Sequence, residues 1–172
     1  MPKTKTHNPQ PGDFDHDDSN PMHSFDTTFD LETEAKDDPL VPQGTYEANV
    51  TKVWYDAERC AIKWQLTLEG NEAVMNDGET PVDGATVINS NWLPRPGDED
   101  TPTASGRSTK RQSKINMLKK FADAMQIDMS TPKAIQEALI NQEWLGLRAQ
   151  VTVGLREYEG RVYNEVKSMK AI

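Results

Sequence analysis

The chain has a single cysteine, Cys60, in 172 residues, so no internal disulfide can staple it, and the composition suits a reducing compartment. No apolar run reaches the roughly 18 residues that would carry a helix across a bilayer. Met1 to Gln10 is polar where a secretory signal would need a hydrophobic stretch. Neither a membrane helix nor a signal peptide is expected. Histidine is confined to His7, His16 and His23, at spacings that fix no common face for a metal, and the rest of the chain has no imidazole to act as a general base. No GxSxG, HExxH, CxxC or Walker A pattern occurs, and Ser105-Gly106-Arg107-Ser108-Thr109-Lys110 lacks the first glycine of a phosphate loop. Asp98, Glu99 and Asp100 sit in a Pro-flanked stretch and read as a solvated acid run. An enzyme, a cofactor and a bound metal are therefore not expected.

What is present is polar and unevenly charged. Hydrophobic residues make up 35% and the mean hydropathy is −0.78, so one core is expected, with part of the chain outside it. Residues 1 to 40 hold three bases and ten acids, net −7; residues 41 to 106 hold four and eleven, also net −7; residues 107 to 172 hold twelve and seven, net +5. The first segment carries five of the eleven prolines and few aliphatic residues, a composition that cannot repay the entropy of ordering. It reads as a disordered acidic tail, in which Phe14, Phe25 and Phe29 are candidate anchors for a protein partner. The domain is expected from residue 41 to 172.

Alternation of apolar and polar residues predicts a long first strand over Thr45 to Tyr55. A turn follows at Asp56 to Arg59. A second strand has Ile62, Trp64, Leu66 and Leu68 inward and Lys63, Gln65, Thr67 and Glu69 outward. The third is expected at about Ala85 to Leu93. Pro94 to Gly106 reads as a flexible connector. Ser108 is the expected cap of a helix with Ile115, Leu118, Phe121, Ala122 and Met125 on its apolar side, and Thr131-Pro132 opens a shorter helix to about Leu139. Strands resume over Leu147 to Arg156 and, after a Glu157 to Gly160 turn, over Arg161 to Lys170. Three strands, a helical insert and two strands are the element order of a mainly β, five-stranded OB-fold Greek-key barrel with its helix between strands three and four.

Three stretches carry a resemblance: Pro42-Gln43-Gly44-Thr45-Tyr46-Glu47-Ala48, the helix from Lys114 to Asp128, and the ending Gly160-Arg161-Val162-Tyr163-Asn164-Glu165-Val166-Lys167. Together they resemble a family of small bacteriophage OB-fold single-stranded-DNA-binding proteins of replication and recombination. The likeness covers about residues 41 to 170, and Asn164 to Lys167 is its most specific piece. It implies binding of single-stranded DNA with little sequence preference, in the cytoplasm of an infected bacterium, with replication or recombination proteins as further partners. The acidic tail departs from the pattern, since such proteins usually carry theirs at the C-terminus.

Single-strand binding needs cations for phosphates and flat side chains for bases. Strand parity turns Lys63, Arg148, Arg156, Arg161, Tyr163 and Lys167 outward, with Lys52 a further candidate. Tyr163, between two bases, is either a stacking platform or a tyrosine packed on its neighbour strand. Trp54 and Tyr55 are adjacent, so one of them must leave the core, and a bulge would decide which. Trp92 is either a rim platform or core, and Trp144 is expected in the core. Arg107, Lys110, Arg111, Lys114, Lys119 and Lys120 give six bases and no acid over residues 107 to 120. The first four are candidate phosphate contacts, against the plainer reading of a solvated helix face or a counter-charge for the acidic tail. The competing function is a non-catalytic module that binds a replication, recombination or host defence protein through its barrel and tail. Homo-oligomers fit either reading.

Overall fold

The computed structural model describes residues 24–172. Phe14 and the three histidines lie outside the described residues. The chain divides into two units, with the boundary between Asp37 and Asp38. In the first, the Asp30 side chain accepts a hydrogen bond from the Glu32 amide at 3.0 Å and caps one turn of helix, α1 (Leu31–Glu34). Phe25 and Phe29 are exposed there.

The second unit is a five-stranded antiparallel sheet with a helical insert. Its elements are β1 (Gly44–Asp56), β2 (Ala61–Glu69), β3 (Thr86–Trp92), α2 (Lys110–Met125), α3 (Pro132–Ile140), β4 (Arg148–Tyr158) and β5 (Arg161–Ala171). The strand order is β3-β2-β1-β4-β5. β3 and β5 are the edges; some of their Cα atoms come within 8 Å of each other, yet no hydrogen-bonded ladder joins them. The sheet curls and does not close.

β2 follows its alternation throughout: Ile62, Trp64, Leu66 and Leu68 are buried and the residues between them are partly exposed. β1 does not. Its register against β2 shifts between Val50 and Lys52, so Thr51 is an extra residue. Upstream, Ala48 and Val50 face the core; downstream Val53 does, and Lys52 and Trp54 turn outward. The bulge lies just beyond Asn49↔Arg148, where the pairing with β4 ends. A second shift, between Thr152 and Val153, leaves Lys167 as the extra residue on β5. The Lys167 stem crosses Gly154, where an added Cβ would lie 2.6 Å from Lys167 Cε.

Trp64 organises the core. It is fully buried, its indole N–H donates to Asn91 Oδ1 at 2.6 Å, and its ring meets Phe121 of α2 at 5.2 Å and Trp144 at 5.0 Å between centroids. Each contact comes from a different part of the chain, so one side chain fixes β3, α2 and the segment before β4 against β2.

Three expectations are corrected. Thr109, not Ser108, caps α2: its hydroxyl accepts from the Gln112 amide at 3.1 Å, while the Ser108 carbonyl is taken by the Thr103 amide at 2.8 Å. The connector after β3 is not structureless, since Asp98–Asp100 form a one-turn 3-10 helix and Asp98 is bonded to Lys114 at 2.6 Å. The last turn is tighter than expected because β4 runs on to Tyr158, leaving Glu159 (φ 49°) and Gly160 (φ 77°) as a two-residue hairpin turn with both residues left-handed. At the start of the domain, the Asn164 side chain takes both backbone groups of Val41, accepting from its N–H at 2.9 Å and donating to its carbonyl at 2.8 Å. This gives a structural role to the residue that opens the Asn164 to Lys167 motif.

The Trp64–Asn91 bond is testable. Asn91→Ala leaves a buried indole N–H without a partner and is expected to lower unfolding free energy by about 1–3 kcal/mol, read from urea denaturation with an unchanged slope. A variant that melts like the parent would show that the bond does not hold the core.

Candidate nucleic-acid interface

The two bulges and the strand parities gather most of the outward candidates into two patches. The first lies on the solvent face of β1, β2 and β3. Lys63 stands directly opposite Trp54 on one side and Ser90 on the other, and Lys52 stands opposite Gln65, which faces Ile88. Lys63 Nζ donates to Ser90 Oγ at 2.7 Å and lies 5.4 Å from the centre of the Trp92 ring; Lys52 Nζ lies 4.7 Å from that of Trp54. Trp92 is 43% exposed and Trp54 half-buried. Two indoles therefore alternate with two ammonium groups, each cation held near a ring by its quadrupole. Ile88, also exposed, extends the patch.

The second patch is the β4–β5 ribbon. β1 pairs with β4 only as far as Val153, and beyond it residues 155–158 pair with 161–164 alone. Cross-strand partners share a face, so Arg156 opposite Tyr163 and Tyr158 opposite Arg161 put two guanidinium groups and two phenols on one side of a two-stranded arm. Tyr158 and Tyr163 are 55% and 47% exposed. The Arg156 guanidinium lies 5.8 Å from the centre of the Tyr158 ring. The other side of the arm carries Leu155, Glu157 and Val162.

Several candidates sit elsewhere. Tyr55 is exposed, but it follows Trp54 on a regular stretch of β1 and so faces the other side; its hydroxyl donates to Cys60 Sγ at 3.5 Å, and this bond raises its pKa above the ordinary phenol value. Arg148 lies on the solvent face of the sheet, where Glu69 at 2.8 Å and Glu47 at 3.0 Å already match its charge. The bond from Arg148 holds the Glu69 carboxyl below its ordinary range. Lys167 pairs with Glu165 at 2.9 Å. Arg107, in the loop before α2, and Lys110 and Arg111, in its first turn, are exposed, whereas Lys114 is drawn into the ion pair with Asp98. Trp144 is buried, as its position before the fourth strand predicts.

Two patch residues escaped the sequence reading. Tyr158 was hidden inside the expected turn, although its parity with Arg156 places it correctly once the turn is shortened to two residues. Ile88 is not marked by the sequence, because nothing in a Val-Ile pair tells which of the two faces in.

Among the described residues no group of three or more His, Cys, Asp or Glu side chains could hold a metal ion, and no helix is long and apolar enough to cross a membrane. No family model and no curated protein matches the chain.

The Asp98–Lys114 pair makes one prediction about pH. The Lys114 bond, with help from the Arg95 amide at 2.8 Å, lowers the Asp98 pKa below its reference of 3.8. A carboxyl whose folded pKa is depressed adds stability that is fully present above its unfolded pKa and is lost as pH falls through the folded one. Asp98→Asn is therefore expected to melt below the parent at neutral pH, with the gap closing below about pH 4 in melts followed by circular dichroism. A gap that does not change down to about pH 2.5 would contradict this account.

Proposed function

We propose that the chain is a non-catalytic single-stranded-DNA-binding protein with little sequence preference. The observation that carries this reading is the alternation of exposed or half-exposed aromatics with cations on both patches: Trp54 and Trp92 with Lys52 and Lys63, and Tyr158 and Tyr163 with Arg156 and Arg161. Rings stack on any base and cations meet any phosphate, so affinity arises without base-edge readout. The strand order, the insert between β3 and β4 and the approach of the two edges support an OB-type Greek-key barrel, a fold that presents oligonucleotides to its strand 2–3 face and to the loops after strands one and four. Those are the regions of the two patches. The resemblance to phage replication and recombination proteins agrees with this reading and supplies its cellular setting.

In this reading the phosphate contacts come from Lys52, Lys63, Arg156 and Arg161, with Arg107 and Lys110 as a secondary cluster. Arg148 and Lys114 act structurally through their carboxylate partners. Exposed Phe25 and Phe29, set beside Asp26 and Asp30, favour a second role in capturing a replication or recombination protein.

The test is anisotropy of a labelled, unstructured oligonucleotide with the full chain, using a duplex control and a salt series. Selective binding to the single strand is expected, with a slope of log K against log salt near −3 for four phosphate contacts, at about −0.7 per contact. Trp92→Ala and Tyr158→Ala should each weaken binding by roughly 5- to 150-fold, the worth of about 1–3 kcal/mol per stacked base. Arg148→Ala should leave affinity nearly unchanged. Absence of binding to single strands at low salt would sink the reading and leave the protein-capture module in its place.

A further inference from the structure

Away from both patches, α2 and α3 enclose a groove of about 1270 Å³. Its walls include Ile115, Leu118, Ile127, Met129, Ile135 and Leu139, and at its rim Ile140 is 80% exposed, more than any other large apolar side chain among the described residues. An apolar groove with so exposed a residue on its rim forms a contiguous patch of the kind that another molecule covers.

The groove is also electrically polar along its length. Arg111 lines it in the first turn of α2 and Asp128 just beyond the last, at opposite ends of a helix about 24 Å long. Neither is in an ion pair among the described residues, whereas Lys119 and Asp123 between them already pair at 3.0 Å. The exposed Arg107 and Lys110 strengthen the positive end.

We propose that this groove is the interface of a two-fold homodimer. A surface that is positive at one end, negative at the other and apolar between is complementary to itself when turned through 180°, because each Arg111 then meets the Asp128 of the other copy and each Ile140 finds an apolar wall. An unrelated ligand would have to supply this polarity in reverse; a second copy supplies it by symmetry. Trp54, Lys63, Trp92 and the β4–β5 arm are not among the residues that line the groove, so the proposal draws on neither patch.

Sedimentation velocity on the full chain tests the proposal. A dimer is expected at micromolar concentrations. Ile140→Asp, which sets a charge against the apolar wall, should abolish it, and Arg111→Asp should weaken it about tenfold because symmetry repeats the lost pair. The exchange Arg111→Asp with Asp128→Arg should restore the parent affinity. Because Asp128 also accepts from the Ser130 amide at 2.9 Å, Asp128→Asn provides a variant that keeps that acceptor; it too should weaken the dimer. Thermal melts establish that each variant is folded. A parent chain that stays monomeric up to about 200 µM overturns the proposal. So do a dimer indifferent to Ile140→Asp, one indifferent to Asp128→Asn, and a folded exchange variant that remains monomeric.

Discussion

The structure depends on where one indole can put its N–H. Trp64 lies on the core side of β2, in a space too apolar for an unpaired donor, and Asn91 on β3 supplies the acceptor. That bond requires Asn91, a polar residue near the end of an edge strand, to face inward. Once it does, strand alternation leaves Trp92 nowhere to go but the solvent face. The same ring is covered by Phe121 and Trp144, so the helical insert and the approach to β4 are seated by the residue that exposes Trp92. Core and surface patch thus have a common cause, and the indole that closes the core is not available to a ligand.

Much of this was legible in the sequence. The alternation of β2, the place of the insert, the Thr131-Pro132 start of α3 and the burial of Trp64 and Trp144 follow from periodicity and capping alone. What was not legible traces to single residues. Continuing the parity of Ala48 and Val50 would send Lys52 and Trp54 inward, and Thr51 reverses this by standing outside the register. Nothing in Val-Thr-Lys-Val announces a bulge. It arises because β1 leaves one neighbour and continues with the other, a fact of topology and not of local composition. The last hairpin departs in the opposite sense: Glu-Tyr-Glu-Gly reads as a four-residue turn, yet two left-handed residues suffice and Tyr158 returns to the strand.

Charge shows the same limit. Counting bases along the sequence treats Arg148, Lys114 and Lys63 alike, but the fold gives them different neighbours. Arg148 lies among strands whose facing residues include Glu47 and Glu69, so it becomes a cross-strand tie. Lys114 reaches Asp98 and ties the loop after β3 to α2. Lys63 meets a serine hydroxyl and a tryptophan ring, neither of which cancels its charge. The cations left for an anionic ligand are those whose cross-strand neighbours are aromatic or neutral, and these neighbours are also the rings on which a base would stack.

An overall charge of −9 does not oppose this. At physiological salt, fields from exposed charges fade over about 8 Å, so a phosphate at Lys63 would respond to the charges immediately around it more than to the sum over the chain. The sum over the chain governs long-range encounter and solubility. The few ångströms around Trp54 and Trp92, and around Tyr158 and Tyr163, would govern whether a bound strand stayed in place. Because the two patches are built on different strand pairs, β1–β3 and β4–β5, a strand that touches both must follow the curl of the sheet. The covering of Trp64 that seats the insert also helps to hold that curl, so the constraint that fixes the core reaches the path a ligand would follow.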